Sequence, residues 1–161
     1  MNELDARTLR QTLGRFVTGV TVIALESDGE VRAMTANSFT SLSLDPPLVL
    51  FCLGKETKAG RHIRSVSGFA VSILGHDQQD LSSYFAGSWK DDQAPTFTFT
   101  TWDGGPRLEG CIAALGCRVH AIHEGGDHWI VVGQVIATYQ GDEGSDPLVF
   151  FGGKYTSLGI E

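Results

Sequence analysis

MTANSFTSLSLDPPLVLF, residues 34–51, crowds five hydroxyl side chains (Thr35, Ser38, Thr40, Ser41, Ser43) around one Asn and then passes through a double proline into an apolar run. A strand buried on both faces would not carry so many hydroxyls, and a disordered linker would not run on into LVLFCL. Small and hydroxyl residues suit a backbone that passes close under a flat ligand and offers it N–H, C=O and O–H partners. The same residues also suit a Ser/Thr-rich edge strand with its turn, and on the residues alone the two readings stand level.

Working outward, the pattern is mostly β. GVTVIALES alternates Val20, Val22 and Ala24 against Thr21 and Ile23, and Asp28–Gly29 supplies a hairpin turn. Further strands are expected at residues 31–38, 48–53, 68–74, 111–122, 128–139 and 147–151, while TFTFTTW at 96–102 reads as a loop-bound strand at most. Leu9, Leu13 and Phe16 recur at helical spacing, so residues 5–15 form an amphipathic helix opened by Asp5. Two more helices are expected at 57–66, capped by Thr57, and at 77–85, opened by Asp77. Regular β–α alternation is missing, as are the G-x-G-x-x-G and G-x-x-x-x-G-K-[ST] motifs, so a Rossmann or P-loop nucleotide site is excluded. The expected fold is a mainly β, antiparallel barrel with peripheral helices.

The 161 residues suit one domain, 1–161, with a core large enough to need no staples. A hydrophobic content of 42% and a mean hydropathy near zero describe a soluble globule. The charged start MNELDARTLR lacks the apolar stretch of a signal peptide, and LVLFCL and WIVV are too short to span a bilayer. Three cysteines give no disulfide framework and fit a reducing cytoplasm. A net charge of −7 argues against generic nucleic-acid binding. Yet Lys55, Lys58, Arg61 and Arg64 fall within the eleven residues GKETKAGRHIR, a third of the twelve basic residues. A helix start beside lysine and hydroxyl groups is a natural phosphate site. A solvated helix face is the plainer reading, and charge clusters more often mean that.

Other chemistries find less support. Residues 111–122 read as one strand, on which Cys111 and Cys117 share a face but lie roughly 20 Å apart at strand rise. His120 and His123 are expected on opposite faces. No shared metal site follows. No G-x-S-x-G elbow accompanies the serines, and Cys52 reads as a small buried hydrophobe. In GGDHWIVVG a Gly-Gly turn sets Asp127 and His128 at a strand mouth, where such a pair can orient a substrate, although a turn residue and a packing histidine explain it slightly better.

Together GRFVTGVTVIA (14–24), AMTANSFTSLSLDPPLVLFCL (33–53), KETKAGRHI (55–63), YFAG (84–87), GDHWIVVGQV (126–135) and LVFFGGKYTSLG (148–159) resemble the short-chain flavin reductases, in order and in spacing. The resemblance implies a six-stranded Greek-key split barrel, usually a homodimer with sites near the subunit interface. It implies NADH- or NADPH-dependent reduction of FMN or FAD for a separate partner monooxygenase, with no nucleic acid or membrane involved. Carried over by residue, it implies that Thr35, Ala36, Asn37, Ser38, Phe39, Ser41 and Leu42 line the flavin ring and its ribityl chain. Glu56, Thr57 and Lys58 would hold the phosphate, with His62 and Ile63 nearby, and Phe85 and Ala86 would close the site. His128, in the catalytic position, would meet the nicotinamide with Lys154 and Tyr155. A carboxylate at Glu56 departs from the family pattern and repels phosphate unless it points away. The hard chemistry belongs to the cofactors, so no side-chain nucleophile is needed. NADH is weakly favoured, since no pocket for a 2′-phosphate is evident. A non-enzymatic flavin carrier or store on the same barrel, and an oxidase of the related pyridoxamine-phosphate kind, are the alternatives.

Overall fold

Long strands with alternating apolar residues account for most of the chain. The computed structural model describes residues 4–159. Helix α1 (Ala6–Leu13) precedes β1 (Thr18–Gly19), β2 (Thr21–Ser27), β3 (Glu30–Ala36), β4 (Thr40–Leu44) and β5 (Pro47–Gly54). Helix α2 (Lys58–His62), continued by a 3₁₀ turn (Ile63–Ser65), leads to β6 (Gly68–Ile73), a second 3₁₀ turn (His76–Gln78) and α3 (Gln79–Phe85). The short β7 (Phe99–Thr100) and β8 (Arg107–Leu108) pair with each other, and then come β9 (Ala113–Gly125), β10 (His128–Gln140), β11 (Val149–Phe151) and β12 (Lys154–Thr156).

The main sheet is antiparallel throughout and runs β3-β2-β6-β9-β10-β5-β4. Its two edge strands, β3 and β4, are consecutive in the chain and joined only by residues 37–39, so the sheet must curl back on itself. It does not close by a ladder. Instead the Ser38 hydroxyl donates to the Cys52 carbonyl and accepts from the Cys52 N–H, both at 3.0 Å, and pins the crossing to β5. Both residues of the Asp28–Gly29 turn take positive φ (55° and 74°), the hairpin geometry that follows strand twist.

Residues 20–25 are buried without a break, because β2 is covered on both sides. Ile23 and Leu25 enter the barrel core with Phe51, Leu53, Phe69, Val71 and Val131, whereas Val20 and Val22 enter a second cluster with Leu74, Leu108 and Leu148. Phe51 and Phe69 meet edge to face at 5.0 Å, and burying each contributes about 1.5–3 kcal/mol.

Several expectations need correction. The sheet has seven strands rather than six, the addition being β4, which falls inside the hydroxyl-rich stretch. The 96–102 stretch contributes only the two residues of β7, and β12 was not expected. Asp77 does not cap α3. It lies inside the 3₁₀ turn, where the Gln78 side-chain oxygen accepts from the Gly75 N–H at 3.1 Å. Cys111 lies ahead of β9, not on it, and Cys52 is half-buried rather than enclosed. His120 and His123 both face solvent, because the β9–β10 register shifts at His120 and resets the alternation. Helix α1 is capped by Asp5 as expected, but it buries none of its residues, and Leu9, Leu13 and Phe16 stay exposed.

Candidate functional site

The free edge of β3 forms the floor of a groove of ≈610 Å³. Helix α2 flanks it with Thr57, Lys58 and Ala59, and the end of α3 flanks it with Tyr84, Phe85, Ala86 and Gly87. An edge strand leaves alternate N–H and C=O groups unpaired, so this floor can hydrogen-bond a ligand through its backbone. The Tyr84, Phe85, Phe97 and Phe99 rings pack on one another at centroid distances of 5.0 to 5.8 Å and form an aromatic wall.

The loop before α2 is tightly built. The Thr57 hydroxyl accepts from the Gly60 N–H at 3.0 Å and donates to the Gly54 carbonyl at 2.8 Å. A Cβ on Gly60 would lie 2.0 Å from the Gly54 carbonyl oxygen, so only glycine lets the helix sit this close to the end of β5. The basic cluster separates into distinct roles. Lys55 pairs with Glu124 at 3.2 Å and stands over the Trp129 ring, which Arg64 also covers. Arg61 pairs with Glu56 at 3.1 Å, so the Glu56 carboxylate is drawn toward Arg61. Among these four, Lys58 is the cation that lines the groove.

The residues named from sequence divide between several surroundings. Thr57, Lys58, Phe85 and Ala86 line the groove. Asn37 and Phe39 line a second, mainly apolar cleft of ≈360 Å³ with Phe16, Val17 and Ile73. β3 runs from the first to the second. Thr35 donates its hydroxyl to the Ser82 carbonyl at 2.7 Å, and the Ser38 hydroxyl is engaged by Cys52, so neither is free as it stands. Ser41 and Leu42 are exposed on β4. His62 meets the Ser27 hydroxyl at 3.2 Å. Ile63 and Ala36 are buried, Ile63 completely, so the Ile63 side chain packs in the core and cannot line the groove.

His128 follows a tight turn in which Gly126 takes φ 64°. Its Nδ1 lies 2.7 Å from an Asp127 carboxylate oxygen, and this hydrogen bond holds the Asp127 carboxyl below its ordinary range. The Asp127 carbonyl accepts from the Lys55 N–H at 3.0 Å, which ties the hairpin tip to the loop before α2. His128 pairs across the ladder with Gly54, whereas Tyr155 packs on Phe150 and shares a 2.7 Å hydrogen bond with the Ser82 hydroxyl. His128 and Tyr155 thus engage different neighbours. Sequence reasoning passed over Arg32, Tyr84 and Phe97 as groove residues, and the one visible signal was a charged residue amid the apolar alternation of EVRAM.

A phosphorylated, flat cofactor fits this arrangement, with a lysine at one wall, aromatic rings at the other and a hydrogen-bonding floor between. Thiolate chemistry at Cys111 or Cys117 does not. Burial pushes the Cys117 thiol up to about 12 and raises Cys111 as well. Among the described residues, no three His, Cys, Asp or Glu side chains gather as a metal site would require.

Comparison with known proteins gives the arrangement a context. Residues 13–159 match the flavin reductase like domain. An NADH-dependent flavin reductase of a Rhodococcus species is 41% identical over 159 residues, covering 97% of this chain and 88% of that protein. The reductase component of 4-hydroxyphenylacetate 3-monooxygenase from Thermus thermophilus is 41% identical over 149 residues, covering 92% and 94%. The NADH:FAD oxidoreductase SgcE6 of Streptomyces globisporus, solved with NAD and FAD fragments, superposes with a TM-score of 0.85 at 37% identity over 98% of this chain and 97% of that one.

Proposed function

Since this chain belongs to the flavin reductase like domain family, we propose that it is an NADH-dependent flavin reductase that supplies reduced FMN or FAD to a separate monooxygenase. The observation that carries this reading is the groove along the free edge of β3, with Lys58 on one side and the aromatic wall on the other. When bound, the flavin supplies the redox chemistry by accepting a hydride from the reduced nicotinamide. The chain's own residues bind and orient. Thr57 holds the start of α2 in place, Lys58 neutralises the flavin phosphate, and Phe85 and Ala86 close over the ribityl side. Thr35 to Phe39, with Ser41 and Leu42, border the ring. Glu56 keeps Arg61 engaged, and His62 fixes the base of the helix against β2. His128, oriented by Asp127, positions the nicotinamide with Lys154 and Tyr155.

The site is completed by a second copy. His128 and Tyr155 have different neighbours within one chain, and the apolar residues on α1 and just after it are uncovered, with Leu13 65% and Phe16 79% exposed. The Gly152 N–H donates to the Gly14 carbonyl at 2.8 Å and Arg15 covers the Phe151 ring, so α1 and the β11–β12 hairpin form one outer surface. A homodimer that buries this surface brings the exposed Lys154 of one subunit toward the flavin of the other, while Tyr155 stays hydrogen-bonded to Ser82 of its own chain. Residues 1–161 act as one domain, and free cysteines favour a reducing cytoplasm. No helix among the described residues is long and apolar enough to cross a membrane.

The test is steady-state NADH consumption in air with FMN, FAD or riboflavin added, repeated with NADPH. Turnover that requires added flavin and prefers NADH is the expected result. Flavin binding without NADH consumption would instead identify a flavin carrier or store.

A further inference from the structure

Arg32 sits on the groove floor, two residues before Met34 on the same face of β3. Its side chain is only 18% exposed, and its Nε–H is buried with no partner among the described residues. Its one ionic contact among the described residues is Nη2 to Glu30 Oε2 at 3.4 Å, and the Glu30 side chain is 72% exposed, so the pair is weak. A largely covered guanidinium whose buried Nε–H goes unused is costly unless a ligand completes it. Guanidinium also presents a planar fork that fits phosphate oxygens two at a time.

Position identifies which phosphate. The Met34 sulfur lies 3.9 Å from the Thr57 hydroxyl, which places Met34 level with the start of α2 and Lys58. Arg32 lies roughly 6–7 Å further along the strand, away from the 35–42 segment. The aromatic wall of Tyr84, Phe85 and Phe97 stands across the same strand edge. We propose that Arg32 is a specificity-determining residue that binds the second phosphate of a dinucleotide flavin, with the adenine against the aromatic wall, so that the protein prefers FAD to FMN. This rests on the flavin reading above and adds to it a choice of cofactor.

The test is equilibrium binding of FAD, FMN and riboflavin to the intact protein and to Arg32→Gln, Arg32→Lys and Glu30→Gln. Arg32→Gln should weaken FAD about tenfold or more while leaving FMN within about twofold and riboflavin unchanged. Arg32→Lys should recover part of the loss, because charge is kept and the fork is not. Glu30→Gln should hold FAD as well as or better than the unaltered protein. Equal losses for FMN and FAD would assign Arg32 to the first phosphate and overturn the proposal, as would no loss for either. Loss of riboflavin binding would make Arg32 a structural residue and overturn it too. A raised KM for NADH with FAD affinity unchanged would give Arg32 to the nicotinamide dinucleotide and likewise overturn the proposal. An unaltered protein that binds no flavin at all would instead defeat the flavin reading itself.

Discussion

Thr57→Ala separates the architecture of the site from its chemistry. The mutation removes a hydroxyl that accepts from Gly60 N–H at 3.0 Å and donates to the Gly54 carbonyl at 2.8 Å. Losing an N-cap of this kind costs about 1–2 kcal/mol, and here a half-buried N–H is also left without its partner. For a chain of this length that corresponds to a fall in Tm of roughly 3–6 °C. The larger consequence is local. Helix α2 is held against Gly54 by this latch and by the close approach at Gly60, so without the latch the groove loses one wall's fixed position. Ordering that wall on binding then costs up to the same 1–2 kcal/mol, a rise of about five- to thirty-fold in the Kd for FMN. Riboflavin, which has no phosphate to engage α2, should bind as before, and Thr57→Ser should restore both stability and affinity. Thermal denaturation and flavin titration of the three proteins measure this. An unchanged Tm, or a serine variant as impaired as alanine, would refute the capping argument. Equal losses for FMN and riboflavin would refute the link to the phosphate.

Other outcomes follow from the same geometry. Lys58→Ala should weaken FMN by several-fold and spare riboflavin, less than a buried ion pair would lose because Lys58 is exposed; a titration of both flavins checks this. His128→Ala should raise the KM for NADH or slow flavin reduction while flavin affinity holds, which stopped-flow reduction and titration decide together. The Asp127 carboxyl is depressed below its ordinary value chiefly by the His128 hydrogen bond, so the pair is intact above that value and is lost only as pH falls through the lower one. Asp127→Asn should therefore raise the KM for NADH while flavin affinity holds, and an unchanged KM would contradict the assignment. Thiol labelling of the native protein should modify Cys52 alone, with Cys111 and Cys117 reacting only after denaturation, since both are buried and Cys117 is pushed up to about 12.

The β character was legible because alternation is local, and so were the Asp28–Gly29 turn, the Asp5 cap and the Thr57 cap. β4 was not, since TSLSL leaves Leu42 and Leu44 exposed and becomes a strand only through its pairing with β5. The placing of His120 and His123 on opposite faces failed for a related reason, as a register shift depends on a partner strand and leaves no trace in spacing. In the site, the hydroxyl-rich stretch combined both of its readings. Part of it is an edge strand, and two of its hydroxyls are fastened, one to Ser82 on α3 and one to Cys52 on β5. The four basic residues at 55–64 looked equivalent in sequence. Their differences arise from Glu124 and Trp129, supplied by the distant β9–β10 hairpin, which only folding brings near. Arg32 was missed because burial of a charge is a tertiary property.

The most direct measurement is anaerobic. A trace of protein is mixed with excess NADH and a large molar excess of free FAD, and the flavin absorbance is followed. A flavin reductase that releases its product should bleach many equivalents of flavin per subunit, at a rate proportional to protein and abolished without it. Bleaching that stops at one equivalent per subunit, or that never exceeds the protein-free rate, would contradict the account and leave a protein that holds flavin without turning it over.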